Sequence, residues 1–135
     1  MIETVVQVQF GIDIALAMLI WLVQLIIYPA YLSIDKEQFS VWHHRYMRTI
    51  SYIVIPLISA QALCIGFQCL ENNSLLVRFQ AILFIVAWTT TFTLSVPCHK
   101  KLQTKGWNEG VTKRLIYTNW IRTFAWSAVL VLDGF

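Results

Sequence analysis

The chain of 135 residues is 58% hydrophobic and only 13% charged, with a net charge of +3 and a mean hydropathy of +0.63. Charged residues make up about a quarter of an ordinary soluble domain, so this composition excludes one. The small basic excess gives no reason to expect a nucleic-acid partner, and a lipid bilayer is the partner the apolar content implies.

Apolar windows with few or no charges lie at about 8–28, 47–68, 76–97 and 115–132. At ~1.5 Å per residue each is long enough to cross ~30 Å of hydrocarbon. The windows predict an all-α fold, an antiparallel four-helix transmembrane bundle that takes up 1–135 as a single domain. The first window follows "MIETVVQVQF", which contains Glu3, and no Lys or Arg precedes Lys36. A cleavable signal peptide opens with a positive stretch, so the first helix is expected to be retained. It carries Asp13 and Gln24 within its apolar run and ends at "IIYPAY", where Pro29 is expected to terminate it.

A connection of about 18 residues comes next and holds "WHHRYMR", with Trp42, His43, His44, Arg45, Tyr46 and Arg48. The second helix contains Gln61, Cys64 and Cys69, and Pro56 is expected to kink it. After a short turn at Glu71-Asn72-Asn73, the third helix carries Gln80 and the hydroxyls of Thr91, Thr93 and Ser95, and ends at "SVPCHKK". A second basic connection of about 17 residues leads to "TNWIRT", which opens the fourth helix with Asn119 and Arg122. The odd count of three cysteines predicts buried thiols rather than a disulfide framework.

Lys and Arg are distributed nine to one in favour of the side that holds the two longer connections, with Arg78 alone toward the other. By the positive-inside rule those connections are cytoplasmic and both termini point outward, which places the chain as a multi-pass protein of a bacterial inner membrane. The up-and-down order then brings the four motifs to the cytoplasmic face, and all three histidines fall in that layer. Tyr31, Trp42, Trp107 and Tyr117 are expected to form an interfacial aromatic belt.

Arg122 is the residue that such a belt leaves unexplained. Asn119 lies three residues before it and Trp126 four after, so the three share one helical face. An unpaired arginine inside a membrane costs at least ~2.5–3.5 kcal/mol, and such residues normally face the bundle and find a partner. At matching depth stand Gln24, Thr91, Thr93 and Ser95, with His99 near the mouth, and none is a carboxylate. A guanidinium among neutral acceptors retains its charge, as a site for an anionic or carbonyl-bearing ligand requires. Arg122 and Asn119 are therefore expected to hold a ligand oxygen, with Tyr28 and Tyr46 completing the pocket. His99 with His43 or His44 would exchange protons, which an unperturbed imidazole near pH 6.5 is suited to do.

Nearer the other face, Asp13, Gln61 and Gln80 lie at one level. They are read as ties between helices or, in the alternative, as part of a proton path.

Four features recur together: Tyr28-Pro29, "WHHRYMR", Pro97-Cys98-His99 and Asn119-Trp120-Ile121-Arg122-Thr123. In this set the chain resembles, over nearly its whole length, an uncharacterised family of small four-helix bacterial integral membrane proteins. More distantly it is similar to the anthrone-oxygenase-like membrane proteins, some of which are linked to cofactor-independent oxidation of polycyclic aromatic ketones. That resemblance implies candidate positions at the proline-x-histidine and the asparagine-arginine pair.

Three functions are thus carried forward. The first is binding of an apolar carbonyl- or quinone-like molecule at a cytoplasm-facing polar pocket, with oxidoreductase chemistry as its extension. The second is a non-catalytic subunit packed against a larger membrane complex. The third is a haem- or metal-binding electron carrier, in which His43 or His44 would pair with His99.

Overall fold

The computed structural model describes residues 1–72 and 74–135, and every regular element among them is helical. Asn73, expected in the outward turn beside Glu71 and Asn72, lies outside the described residues. Among the described residues four helices are long and apolar enough to cross a membrane: α1 Ile2–Ala30, α2 Lys36–Glu71, α3 Leu75–Lys105 and α4 Glu109–Leu132. The chain is a multi-pass membrane protein on this measure.

All four helices run beyond the windows read from hydropathy. Hydropathy registers only the segment that suits hydrocarbon, whereas the backbone ladder continues through polar residues until a cap stops it. Three caps mark the starts: Asp35 accepts from the Glu37 backbone N–H at 2.8 Å, Ser74 from Val77 at 3.3 Å, and Asn108 from Val111 at 2.9 Å. The stretch "WHHRYMR" therefore lies inside α2, two turns past its cap, and not in a connection. The remaining connections are short, and the one before α4 turns at Gly106, whose φ of 78° is a left-handed conformation that favours glycine.

Neither Pro29 nor Pro97 terminates its helix. In α1 the five residues Val23–Ile27, and in α3 the five residues Thr91–Ser95, widen into π-helical turns, and each proline comes two residues later. The backbone N–H of Tyr28 bonds to the Val23 carbonyl, and that of Val96 to the Thr91 carbonyl. A proline lacks the N–H for its i−4 carbonyl and crowds that group, and a widened turn relieves both problems while the helix continues. One residue inserted into a 3.6-residue repeat rotates the rest of the helix by about 100°. Tyr28 and His99 sit just after these rotations. Pro56, by contrast, stands within an α-helical stretch of α2.

Helix α1 packs on α2 and α4, while α3 packs on α4 and, more sparsely, on α2, so α1 and α3 form one diagonal of a square. Among the described residues the interior is nearly as polar as it is apolar, and large apolar side chains such as Leu25, Ile26, Tyr52 and Leu63 cover the outside. Water would penalise that outside and lipid would not. The three cysteines are free thiols, with Cys98 buried.

Candidate functional site

A polar chain crosses the bundle at the level where the two π turns face each other. Arg122 on α4 is 7% exposed, and Asn119, one turn earlier on the same face, is fully enclosed. The guanidinium donates to the Asn119 side-chain oxygen, to the Tyr28 hydroxyl at 3.0 Å and to Thr91 Oγ1 at 3.3 Å. Asn119 Nδ2 in turn donates to Gln24 Oε1 at 2.8 Å, and Gln24 Nε2 donates to the Ile116 carbonyl at 3.2 Å. Thr91 and Gln24 both belong to the π turns. Thr93, expected at the same depth, is exposed and bonds to the Thr89 carbonyl in its own helix, while Ser95 is buried with no partner for its hydroxyl.

The chain continues from Tyr28 into the histidines. The Tyr28 hydroxyl lies 3.0 Å from His99 Nε2, and His99 Nδ1 lies 3.0 Å from His43 Nε2, with the two imidazoles stacked at 5.2 Å between centroids. A guanidinium only donates, so Tyr28 accepts from Arg122 and its single proton serves His99 Nε2. A neutral His99 then carries its proton on Nδ1 and donates to His43 Nε2. His43 is left with an Nδ1–H that is buried and without a partner. Every bond from Arg122 to His43 points the same way.

His44 is turned away from this chain on α2, is exposed, and has no place in it. Adjacent helical residues diverge by about 100°, so only one histidine of the pair can face inward. A haem or metal held between His43 and His99 also finds no support in this geometry. Both nitrogens of His99 are engaged and the rings bond each other, which leaves one free ring nitrogen. Among the described residues no cluster of three or more His, Cys, Asp or Glu has metal-binding geometry.

Tyr31 is not part of an interfacial belt. It is fully buried, with the rings of Tyr28, Phe39, Trp42, His43, Tyr46 and His99 all 5.4–6.4 Å away between centroids. Trp107 is half-buried and donates to the Tyr31 carbonyl at 2.9 Å, with Lys36 Nζ 4.4 Å above its ring. Trp42 and Tyr117 are exposed, as interfacial anchors are. Together Tyr31, Phe39, Leu102 and Leu115 form an apolar plug at the basic end of the bundle. The pocket floor lies near that end but does not open through it.

Above the floor is a cavity of about 420 Å³, within the range of small-molecule sites. Its wall is apolar, built from α1 (Leu16, Ile20, Val23), α2 (Met47, Ile50, Val54) and α3 (Phe92, Val96), and its polar end is Tyr28, Tyr46, His99 and Arg122. Three lining groups are buried without a hydrogen-bond partner: Arg122 Nε, Ser95 Oγ and Trp88 Nε1. Two of these only donate and the hydroxyl can donate. Among the described residues the cavity lining shows no orphaned side-chain amide oxygen or carboxylate.

A second polar layer occupies the other half of the bundle. Asp13 accepts from Gln61 Nε2, and Trp126 Nε1 donates to Gln61 Oε1 at 3.1 Å. Gln80 donates to Asp133 at 2.7 Å, and Gln68 donates to Gln9 Oε1 at 2.6 Å. Sequence reasoning missed Gln9, Gln68 and Asp133. The spacing of Gln9 to Asp13 and of Gln61 to Gln68, four and seven residues, was the available signal. Between this layer and the cavity stands Trp126, whose indole donates one hydrogen bond and relays no proton. That arrangement favours ties between helices over a proton path.

Comparison of the chain with protein-family models, with curated proteins and with solved structures finds no match. What the site does is therefore argued from its own donors, acceptors and shape.

Proposed function

We propose that the protein binds an apolar carbonyl-bearing, quinone-like molecule, with its oxygen held at Arg122 on the floor of the cavity. One observation carries this reading. A guanidinium with no carboxylate among its partners stands at the polar end of an apolar cavity with its Nε–H unused, and Ser95, a residue of the same lining, has an unused hydroxyl. A buried donor without a partner costs about 1–3 kcal/mol, and an oxygen acceptor brought by a ligand removes that cost.

The aligned groups Tyr28, His99 and His43 give the site a second capacity. Where the ligand oxygen reaches the Tyr28 hydroxyl, a proton can be passed along these three, which both give and accept, while Arg122 only donates and stays outside the relay. Oxidoreductase chemistry on the bound carbonyl is the extension of the reading: a second redox-active molecule would exchange the electrons, His99 and His43 would move the protons, and Arg122 would stabilise negative charge on oxygen. The likeness to the anthrone-oxygenase-like proteins, and membership in the small four-helix bacterial family, belong to this proposal and point to the same residues. So do the antiparallel transmembrane bundle, its placement in a bacterial inner membrane and the outward termini, which the split of Lys and Arg supports. In the second reading, a subunit of a larger complex, the cavity would have no occupant of its own.

The test is binding of decylubiquinone to the purified protein in mild detergent, monitored by quenching of tryptophan fluorescence, since Trp88 and Trp126 line the cavity. Arg122→Lys keeps the charge but loses the planar array of donors. It is expected to weaken binding by about tenfold or more, the equivalent of ~1.4 kcal/mol, while the helical content persists. Unchanged affinity in that variant would refute the role given to Arg122.

A further inference from the structure

The cavity has a shape and an opening as well as a polar floor. Along α2 its lining runs from Tyr46 to Ser59, which at 1.5 Å per residue is a length of about 20 Å. A volume of about 420 Å³ distributed along that length makes the space elongated, as an extended apolar tail requires.

Both ends are closed. At the floor stand the aromatic and aliphatic residues of the plug, with Tyr31, Phe39, Leu102 and Leu115 all fully buried. At the far end Leu16, Ala87, Ala125 and Trp126 pack together, with Gln61 and Asp13 buried behind them. The side between α2 and α3, where the helices touch least, is different. Ile55, Phe92 and Val96 line the cavity and yet are 56%, 55% and 46% exposed, so the wall there is one side chain thick and faces the apolar exterior.

We infer that the ligand is a bilayer-dissolved molecule with a single long apolar tail, admitted sideways between α2 and α3 and bound with its tail along that gap. The inference rests on the proposed binding of a carbonyl head at Arg122 and adds the tail, the route and the source. The head descends to the donors at Arg122 and Ser95, and the tail replaces lipid against Ile55, Phe92 and Val96. Desolvation then costs little, because neither the tail nor the gap is wetted at any stage.

The experiment compares two quinones in dioleoylphosphatidylcholine vesicles, decylubiquinone and the tailless 2,3-dimethoxy-5-methyl-1,4-benzoquinone, with affinities referred to the concentration of each in the membrane. Wild-type protein is expected to bind the tailed compound about tenfold or more tightly on that basis. Ile55→Phe combined with Val96→Phe fills the gap with residues lipid tolerates, and should abolish that advantage. Ile55→Ala combined with Val96→Ala, which widens the gap, should retain the advantage and controls for folding. Equal affinity for the two quinones in wild type, or a filled variant that keeps the preference, overturns the lateral gap and leaves the head site standing. If neither quinone quenches the wild-type protein, the head site fails and the gap with it.

Discussion

Arg122 shows how a single residue links composition to function. Its neighbours Tyr28, Asn119 and Thr91 satisfy three of its bonds without neutralising it. If the uncompensated charge is what recruits the ligand oxygen, a carboxylate placed beside it should compete. Asn119→Asp supplies one at hydrogen-bonding distance in nearly the same volume. The account predicts a bundle at least as stable in thermal unfolding and an affinity for decylubiquinone reduced by about tenfold or more, because the pair then satisfies itself. An Asn119→Asp protein that binds as tightly as wild type would show that charge is not the attraction. Arg122 and Asn119 could be singled out in the sequence because their three-residue spacing and their setting in an apolar run are local facts. That His43 rather than His44 faces inward could not, since choosing between adjacent residues needs the rotational phase of α2, which nothing in "WHHRYMR" specifies.

At the level of elements, hydropathy located the four spanning segments but not their ends. It measures preference for lipid, and the polar turns at Lys36–Tyr46, Lys100–Lys105 and Glu109–Arg114 continue the helices outside any apolar window. Asp35, Ser74 and Asn108 were legible as caps once the boundary was sought among polar residues. The prolines were misread for a physical reason. A proline in a soluble helix usually ends it, but within an apolar run the exposed backbone groups of a broken helix have no water to bond, so the chain widens a turn instead. The shared pattern of a π turn, one residue and a proline in α1 and α3 sets the rotation of Tyr28 and the phase of His99, and so assembles half of the polar chain.

For the whole molecule, polar residues are drawn inward and apolar residues outward, in two polar layers separated by Trp126. One layer ties α1, α2, α3 and the C-terminal end of the chain through Gln9, Asp13, Gln61, Gln68, Gln80 and Asp133, bonds individually worth about 1 kcal/mol in a bilayer. The other frames a cavity. The proposed orientation rests on charge alone and is open to a direct check in a variant lacking Cys64, Cys69 and Cys98. A cysteine at Lys105 should be labelled by a membrane-impermeant maleimide only after cells are opened, and one at Glu71 in intact cells. The reverse pattern would invert the assignment.

The central claim is that the cavity above Arg122 has an occupant whose head accepts hydrogen bonds from the guanidinium. Native mass spectrometry of protein taken from its own membrane in mild detergent tests it most directly, with the released small molecules identified by their mass and fragments. The account predicts one apolar molecule per chain with a carbonyl oxygen head and a single long tail, largely lost from the Arg122→Lys protein prepared in parallel. A chain that leaves the membrane with nothing bound, or that carries the same molecule in the same amount with lysine at position 122, would contradict it.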